Sequence, residues 1–432
     1  MKKSLIAIML GVLPVCPLLA DISHQQIDEA AAAVQPQVVE WRRWFHQNPE
    51  LSNREFNTGA RIAEILTDMG LEPKTGIALT GVTALIQGGK PGPLVAIRAD
   101  IDGLPVTEQT GLPFASTVRS EYNGQDVGVM HACGHDAHMS MALGAAKILN
   151  DMKADLAGSV LMIFQPAEEG APGEEEGGAS LMLAEGVFED GIPEAVFGIH
   201  VGLGAPGGKF QVKPGPMMAA SDHYKITVKG VQTHGARPWQ GVDPIVVASQ
   251  IVMGLQTIAS RQVDVTKAPS IISVGSIHAG VRYNVIPDQL VMEGTIRTFD
   301  SEMRDYIHKA IPHTASSIAA SAGATIEWWL KPGPPALIND DELTAFVLPA
   351  LERAAGSPVV SLTPQTVAED FSEFSNVTPG VYTFLGSWPD DLEDTGQGSN
   401  HSPFFQMHEP YMEHGVKAFA HMVVDFMQSK QE

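Results

Sequence analysis

The chain has few cysteines, few basic residues and no long apolar run. Among its 432 residues only Cys16 and Cys133 carry thiols, so no disulfide framework holds the fold together. Lysine and arginine number 27 against 50 aspartates and glutamates, a formal net charge of −23. That balance excludes nucleic acid as a partner, because phosphate binding needs basic patches and the sequence has none. No segment reaches the ~18 uninterrupted apolar residues of a membrane span. Repeats and low-complexity tracts are absent too. What is there, 44% apolar and 18% charged residues, suits a globular protein with a sizeable core, and the length suggests two domains.

Residues 1–20 read as a signal peptide. Lys2 and Lys3 form a short positive region, residues 5–15 an apolar one, and Pro17-Leu18-Leu19-Ala20 a cleavage region before Asp21. Cys16 raises a lipid anchor, which Pro14 and Val15 before it disfavour. The expectation is a secreted, periplasmic protein with no stable membrane anchor. Cleavage then leaves Cys133 as the only thiol, which in an oxidising compartment must be buried or bound to something.

Apolar, β-branched runs at 82–87, 94–98, 160–165, 195–200 and 380–385 predict buried strands. Helical patterns at 58–69 and 137–152 lie between them, so the fold class is α/β, a sheet covered on both faces. Residues 217–331 have another rhythm. Strands at 223–229, 270–277, 289–298 and 325–330 and helices at 244–261 and 302–321 follow the order βαββαβ, the ferredoxin-like plan. Pro214-Gly215-Pro216 and Pro332-Gly333-Pro334-Pro335 flank this stretch as linkers. The expected organisation is thus a catalytic domain over 21–216 and 332–432, interrupted by a small domain over 217–331.

Five candidate ligands or acid–base groups, His131, Cys133, His135, Asp136 and His138, fall within eight residues. Thiolate and imidazole suit Zn²⁺ and similar borderline-soft ions. Cys-x-His alone does not complete a site, so further ligands must come from elsewhere. Strand ends offer them: Asp100 and Asp102 after the second strand, Glu168 and Glu169 after the third, His200 at the fourth. Open α/β sheets carry their sites at these carboxyl ends.

Taken together, several motifs resemble the M20 family of metallopeptidases and amidohydrolases, in its branch of N-acyl-amino-acid, hippurate and indoleacetyl-amino-acid hydrolases. They are His46-Gln47-Asn48-Pro49-Glu50-Leu51, Arg98-Ala99-Asp100-Ile101-Asp102-Gly103-Leu104-Pro105, residues 130–138 and Gln165-Pro166-Ala167-Glu168-Glu169-Gly170. Thr233-His234-Gly235-Ala236, Asn284-Val285-Ile286-Pro287, Glu369-Asp370-Phe371 and His401-Ser402-Pro403 complete the set. The resemblance implies a zinc-peptidase-like catalytic domain with an inserted lid and dimerisation domain, in a homodimer or higher homo-oligomer. It implies Cys133, His135, Glu169, His200 and His401 as ligands of two divalent ions, zinc first and manganese, cobalt or nickel as alternatives. Glu168 matches the catalytic carboxylate and Asp102 the aspartate that orients a metal-site group. His234 and Asn284 match lid residues that reach the substrate, the histidine in some dimers from the partner subunit. Arg297 sits where relatives hold a substrate carboxylate.

The expected reaction is hydrolysis of an amide in an N-acyl amino acid or small peptide-like conjugate. A carboxypeptidase or dipeptidase using the same site is the alternative, and a non-catalytic periplasmic binding protein a more distant one. His131 and His138 either orient ligands or touch substrate. The loop Gly173-Glu174-Glu175-Glu176-Gly177-Gly178 reads as a solvated turn, and Trp41, Trp44, Trp328 and Trp329 as packing residues.

Overall fold

The structure is a computed structural model that describes residues 21–202, 204–389 and 398–431; the signal peptide read over residues 1–20 lies outside them. Helix α1 (His24–Gln47) starts at a capping box in which Ser23 and Gln26 satisfy each other's backbone N–H groups. Its buried stripe, Ile27, Ala31, Val34, Val38, Trp41 and Phe45, repeats at helical spacing. After α2 (Phe56–Asp68) come β1 (Lys74–Ile77), β2 (Gly81–Gln87) and β3 (Lys90–Asp100), then a hairpin of β4 (Arg119–Tyr122) and β5 (Gln125–Gly128). Helix α3 (His135–Asp151), β6 (Ala157–Gln165), α4 (Gly178–Ala184), β7 (Ala195–Val201), β8 (Phe210–Val212) and β9 (Gly215–Met218) follow.

The chain then leaves this layer for a second one. Strands β10 (Ala220–Lys229), β12 (Ser270–Ala279), β14 (Gln289–Thr298) and β15 (Thr325–Pro332) form an antiparallel sheet in the order β12-β14-β10-β15. Helices α5 (Pro244–Thr257) and α6 (Ser301–Ser321) pack on one face over a separate core that includes Ile226, Ile251, Met292 and Ile307. A short arm, β11 (Thr233–His234) paired with β13 (Val285–Ile286), stands apart from that sheet. The helix read over 244–261 ends sooner, and its last turn widens into a π turn at Ile258–Gln262. There the hydroxyls of Thr257 and Ser260 donate to the carbonyls of Gly254 and Gln256, competing with regular helix bonds.

The remaining elements return to the first sheet: β16 (Leu337–Asn339), α7 (Asp341–Ala355), β17 (Val360–Ser361), α8 (Phe371–Ser375), β18 (Gly380–Leu385) and α9 (Met412–Ser429). The eight-stranded order is β1-β2-β6-β3-β7-β18-β8-β17. Successive residues of its central strands enter opposite cores: Val95, Ile97, Ala195 and Phe197 pack with α1, α3 and α9, while Ala96 and Val196 pack with Phe371, Phe374 and Met182. This double burial explains why the central strands read as continuous apolar runs. Strands β6, β3, β7 and β18 are mutually parallel, so their carboxyl ends share one edge. The packing read for the tryptophans holds for Trp41, which is buried, and Trp328, which stacks on Tyr224; Trp329 is partly exposed beneath Lys225.

Candidate metal centre

The shared edge gathers the donors. Gly134 caps α3 with φ 95°, and a side chain there would drive a Cβ to 2.3 Å from Val201 Cγ2. This tight turn sets Cys133 against the end of β7, with its Sγ 3.3 Å from His200 Nε2. Cys133 is the one free thiol among the described residues and is buried. The His200 Nδ1–H donates to its own neighbour's carbonyl, Val201 O, at 2.9 Å, which leaves Nε2 with its lone pair toward the sulfur.

His135 is arranged the same way. Its Nδ1–H donates to Asp102 Oδ1 at 3.1 Å, and its buried Nε2 has no hydrogen-bond partner. That nitrogen lies 3.8 Å from Glu168 Oε2. Asp102 is fixed in turn by the Ser52 hydroxyl at 2.7 Å and the Glu169 N–H at 3.0 Å. His401, with φ 66° and its N–H on Ala132 O, places Nε2 3.1 Å from Glu169 Oε1. Two donor triads therefore meet at one atom: Cys133 groups with His135 and His200, and also with Glu169 and His401.

The electrostatics call for cations. Burial, then the Glu169 and Glu168 carboxylates, push the Cys133 thiol far up. Burial alone would lower the His135 imidazole, yet Asp100 and Asp102 hold it up at about 10. Burial and the carboxylates of Glu369 and Glu169 raise Glu168. A buried cluster this negative is stable only when paired or metal-bound. The orphaned His135 Nε2, the sulfur and the carboxylates are the N, S and O donors that divalent transition ions take. These residues fit a metal pair.

Behind the donors, Asp100 and Arg98 form a second tier. The His138 Nδ1–H donates to Asp100 Oδ1 at 2.6 Å, and its Nε2 accepts the Val201 N–H at 2.8 Å. Both ring nitrogens are thereby used, so His138 holds Asp100 and the Val201 backbone in place. His131 donates through Nδ1 to Asp102 O, and its buried Nε2 is unpartnered; burial first lowers it to about 4, so it stays neutral. Buried Arg98 bonds Asp100, Asp370 and Gln165 at 2.7–2.8 Å and lies 2.9 Å from Glu369.

His234, Asn284 and Arg297 are not part of this cluster. Among the described residues no hydrogen bond or ion pair joins them to it. His234 is exposed on the β11–β13 arm, where its Nδ1 accepts the Ala236 N–H at 3.0 Å and leaves Nε2–H outward. Asn284 Oδ1 is buried without a partner. Arg297 lies on β14, forms no ion pair among the described residues, and is lowered from its usual pKa chiefly by burial.

Beside Glu169 opens a cavity of about 180 Å³ lined by Leu51, Leu104, Pro105, Tyr122, Pro172 and Arg54, among others. The acidic loop read as a solvated turn is anchored at this cavity: Arg54 holds Glu175 at 2.6 and 3.0 Å, and Asn53 holds it at 3.1 Å. Glu175 is thereby lowered to about 2.

The sequence profile of peptidase family M20/M25/M40 matches residues 96–425. The chain belongs to the M20 family. It is 39% identical over 380 residues to N-acetyl-L-cysteine deacetylase of Bacillus subtilis, covering 88% of this chain and 85% of that one. It is 40% identical over 394 residues to thermostable carboxypeptidase 1 of Saccharolobus solfataricus, covering 90% and 95%. A solved dinuclear metal-binding M20 peptidase from Bacillus subtilis superposes with TM-score 0.77 at 35% identity, over 92% of this chain and 99% of that chain. This M20 chain is accordingly a hydrolase of the amidohydrolase and metallopeptidase type, with an α/β catalytic domain and a second, inserted domain.

Reading the M20 motifs gave no role to Arg98, Ser52, Glu55, Asn400 or the Glu369-Asp370 pair. Asn400 Nδ2 donates to the carbonyls of Cys133 and Val201, both at 3.0 Å, tying the His401 segment to the other donors. Arg98 and Glu369 had a signal, charged residues inside apolar or motif contexts, which demands buried partners. Ser52 and Glu55 had none, since they sit in a polar stretch that reads as a helix start.

Proposed function

We propose that this protein cleaves the amide bond of N-acyl amino acids or small peptide-like conjugates, with Glu168 as general base and then acid. The observation that carries the reading is Glu168 Oε2 standing beside the orphaned His135 Nε2, a carboxylate that a purely metal-storing site would not need. Two divalent cations held by Cys133, His135, Glu169, His200 and His401 would polarise the amide carbonyl and acidify the attacking water. Zinc suits the thiolate best, while manganese, cobalt or nickel fit the imidazole and carboxylate positions.

Glu168 takes the proton from the attacking water and delivers it to the departing nitrogen. Burial and the neighbouring Glu369 and Glu169 carboxylates favour its protonated form, so it can hold the proton between the two steps. His234, with Nε2–H outward, donates to the developing oxyanion, a contribution of about 3 kcal/mol in comparable sites. Arg297, which forms no ion pair among the described residues, receives the substrate carboxylate together with the Asn284 side-chain N–H groups. The acyl group enters the cavity beside Glu169. Exposed Trp239, Val281 and Tyr283 on the lid support assembly as a homodimer or higher homo-oligomer. Residues 1–20 support export to the periplasm.

The test is release of free amine from N-acetyl and N-benzoyl amino acids and from dipeptides by metal-reconstituted protein. N-acyl amino acids should be hydrolysed, and Glu168→Gln should lower kcat by about 10²–10⁴ with metal stoichiometry near wild type. Turnover of dipeptides alone would move the assignment to the peptidase reading, which the Saccharolobus relative's name favours. Full activity in Glu168→Gln would remove Glu168 as the base.

A further inference from the structure

We infer that Glu55 is a positioning residue that aims Glu168, by clamping the turn that carries it from outside the metal site. This inference rests on Glu168 as the base. The turn after β6 contains Ala167, whose φ of 53° is left-handed, a conformation unfavourable for a side chain and kept only where surroundings impose it. The Ala167 N–H donates to Glu55 Oε1 at 2.9 Å. Two residues on, the Glu169 N–H donates to Asp102 Oδ2. Two buried carboxylates from distant segments thus hold the two amides that flank Glu168. Between these fixed points the chain reverses, so Glu168 faces His135 while Glu169 faces His401.

Capping is the ordinary reason for an acidic residue at a helix start, and here it does not apply. Glu55 is the N-cap residue of α2 but makes no side-chain bond to its own helix. Glu50 performs that task, accepting the N–H groups of Asn57 and Thr58. Glu55 instead turns inward, fully buried, with its second oxygen held by the Thr80 hydroxyl at 2.7 Å. Burial, then the charge of Asp102, raise it to about 7. A carboxylate kept at that cost while another residue caps the helix serves the turn it touches. The space behind Ala167 is filled as well: a Cβ at Gly177 would come within 3.1 Å of the Ala167 Cβ.

The experiment compares Glu55→Gln, Glu55→Asp and Glu55→Ala in metal-loaded protein. Gln keeps an acceptor at the same reach and should stay within about threefold of wild type in kcat. Asp withdraws the acceptor by one methylene, and Ala deletes it. Both should lose about ten- to a hundredfold in kcat, with KM and metal stoichiometry unchanged. Equal kcat in the Gln and Asp variants overturns the inference, as does a loss that merely tracks lost metal. If Glu55→Ala does not fold, the Gln–Asp pair alone decides. Glu168→Gln run in parallel separates the two readings: full activity there rejects the base, whereas an inactive Glu168→Gln beside a fully active Glu55→Asp rejects only the clamp.

Discussion

The sulfur of Cys133 stands 3.3 Å from Nε2 of His200, so this thiol and a strand-end imidazole face each other with no proton between them once the thiol ionises. The same sulfur joins both donor triads. Substituting it should therefore disturb two ions at once. Cys133→Ser should lower bound metal by more than half at stoichiometric supply, measured by elemental analysis after gel filtration. Unchanged metal content would take Cys133 out of the centre.

His138 touches Asp100 and the Val201 amide, and through them the placement of His135 and His200. His138→Gln should weaken metal binding about ten- to a hundredfold without changing the number of ions bound at saturation. A competition titration with a chelator reads the difference. A lost ion at saturating metal would instead make His138 a ligand.

His46 lies buried between Asp136 and Glu108, at 2.9 and 3.1 Å. Burial works against its charged form, yet the hydrogen bonds to the two carboxylates prevail and raise its pKa. A raised folded value stabilises below the unfolded pKa and ceases to do so as pH climbs through the folded one. The melting-temperature gap between wild type and His46→Gln should thus be widest near pH 6 and shrink toward pH 9. A gap that widens with pH would reverse the assignment of charge.

Among the described residues no hydrogen bond or ion pair joins His234 to the donor cluster, and in the proposed homodimer the partner subunit would supply this histidine. Mixed His234→Ala and Glu168→Gln subunits should then recover activity, on the order of a quarter of wild type for random pairing in a two-fold dimer. Subunit exchange is confirmed by tagged pull-down. Heterodimers without activity would return His234 to its own chain's site.

Much of this arrangement was legible before any coordinates. Strands 289–298 and 380–385 appear at the bounds read from the sequence, because burial or alternation marks them at both ends. Helices α1 and α9 were not read, although Ser23 and Gln26 spell a capping box; Pro36 interrupts the pattern of α1, and α9 is buried around most of its circumference, so it shows no clear polar face. Among the site residues, the type and spacing of Cys133 and His135 announce metal chemistry by themselves. The separation of His138 from His131 needed geometry, since it depends on where the Val201 backbone points. Glu55 was hidden for a similar reason: sequence shows a carboxylate at a helix start, and only packing reveals that it serves another segment.

The ligands run from Cys133 to His401, and the inserted domain is threaded between His200 and His401 in the chain. A ribosome delivers the first four ligands and the base well before the last ligand. Domains tend to fold as they emerge, from the N-terminus onward, so the centre stays incomplete until β18 has docked and the segment bearing Asn400 and His401 has closed over Cys133. Hydrolytic competence is thereby coupled to completion of the chain, and truncated products would carry the conspicuous Cys-x-His signature without the means to use it.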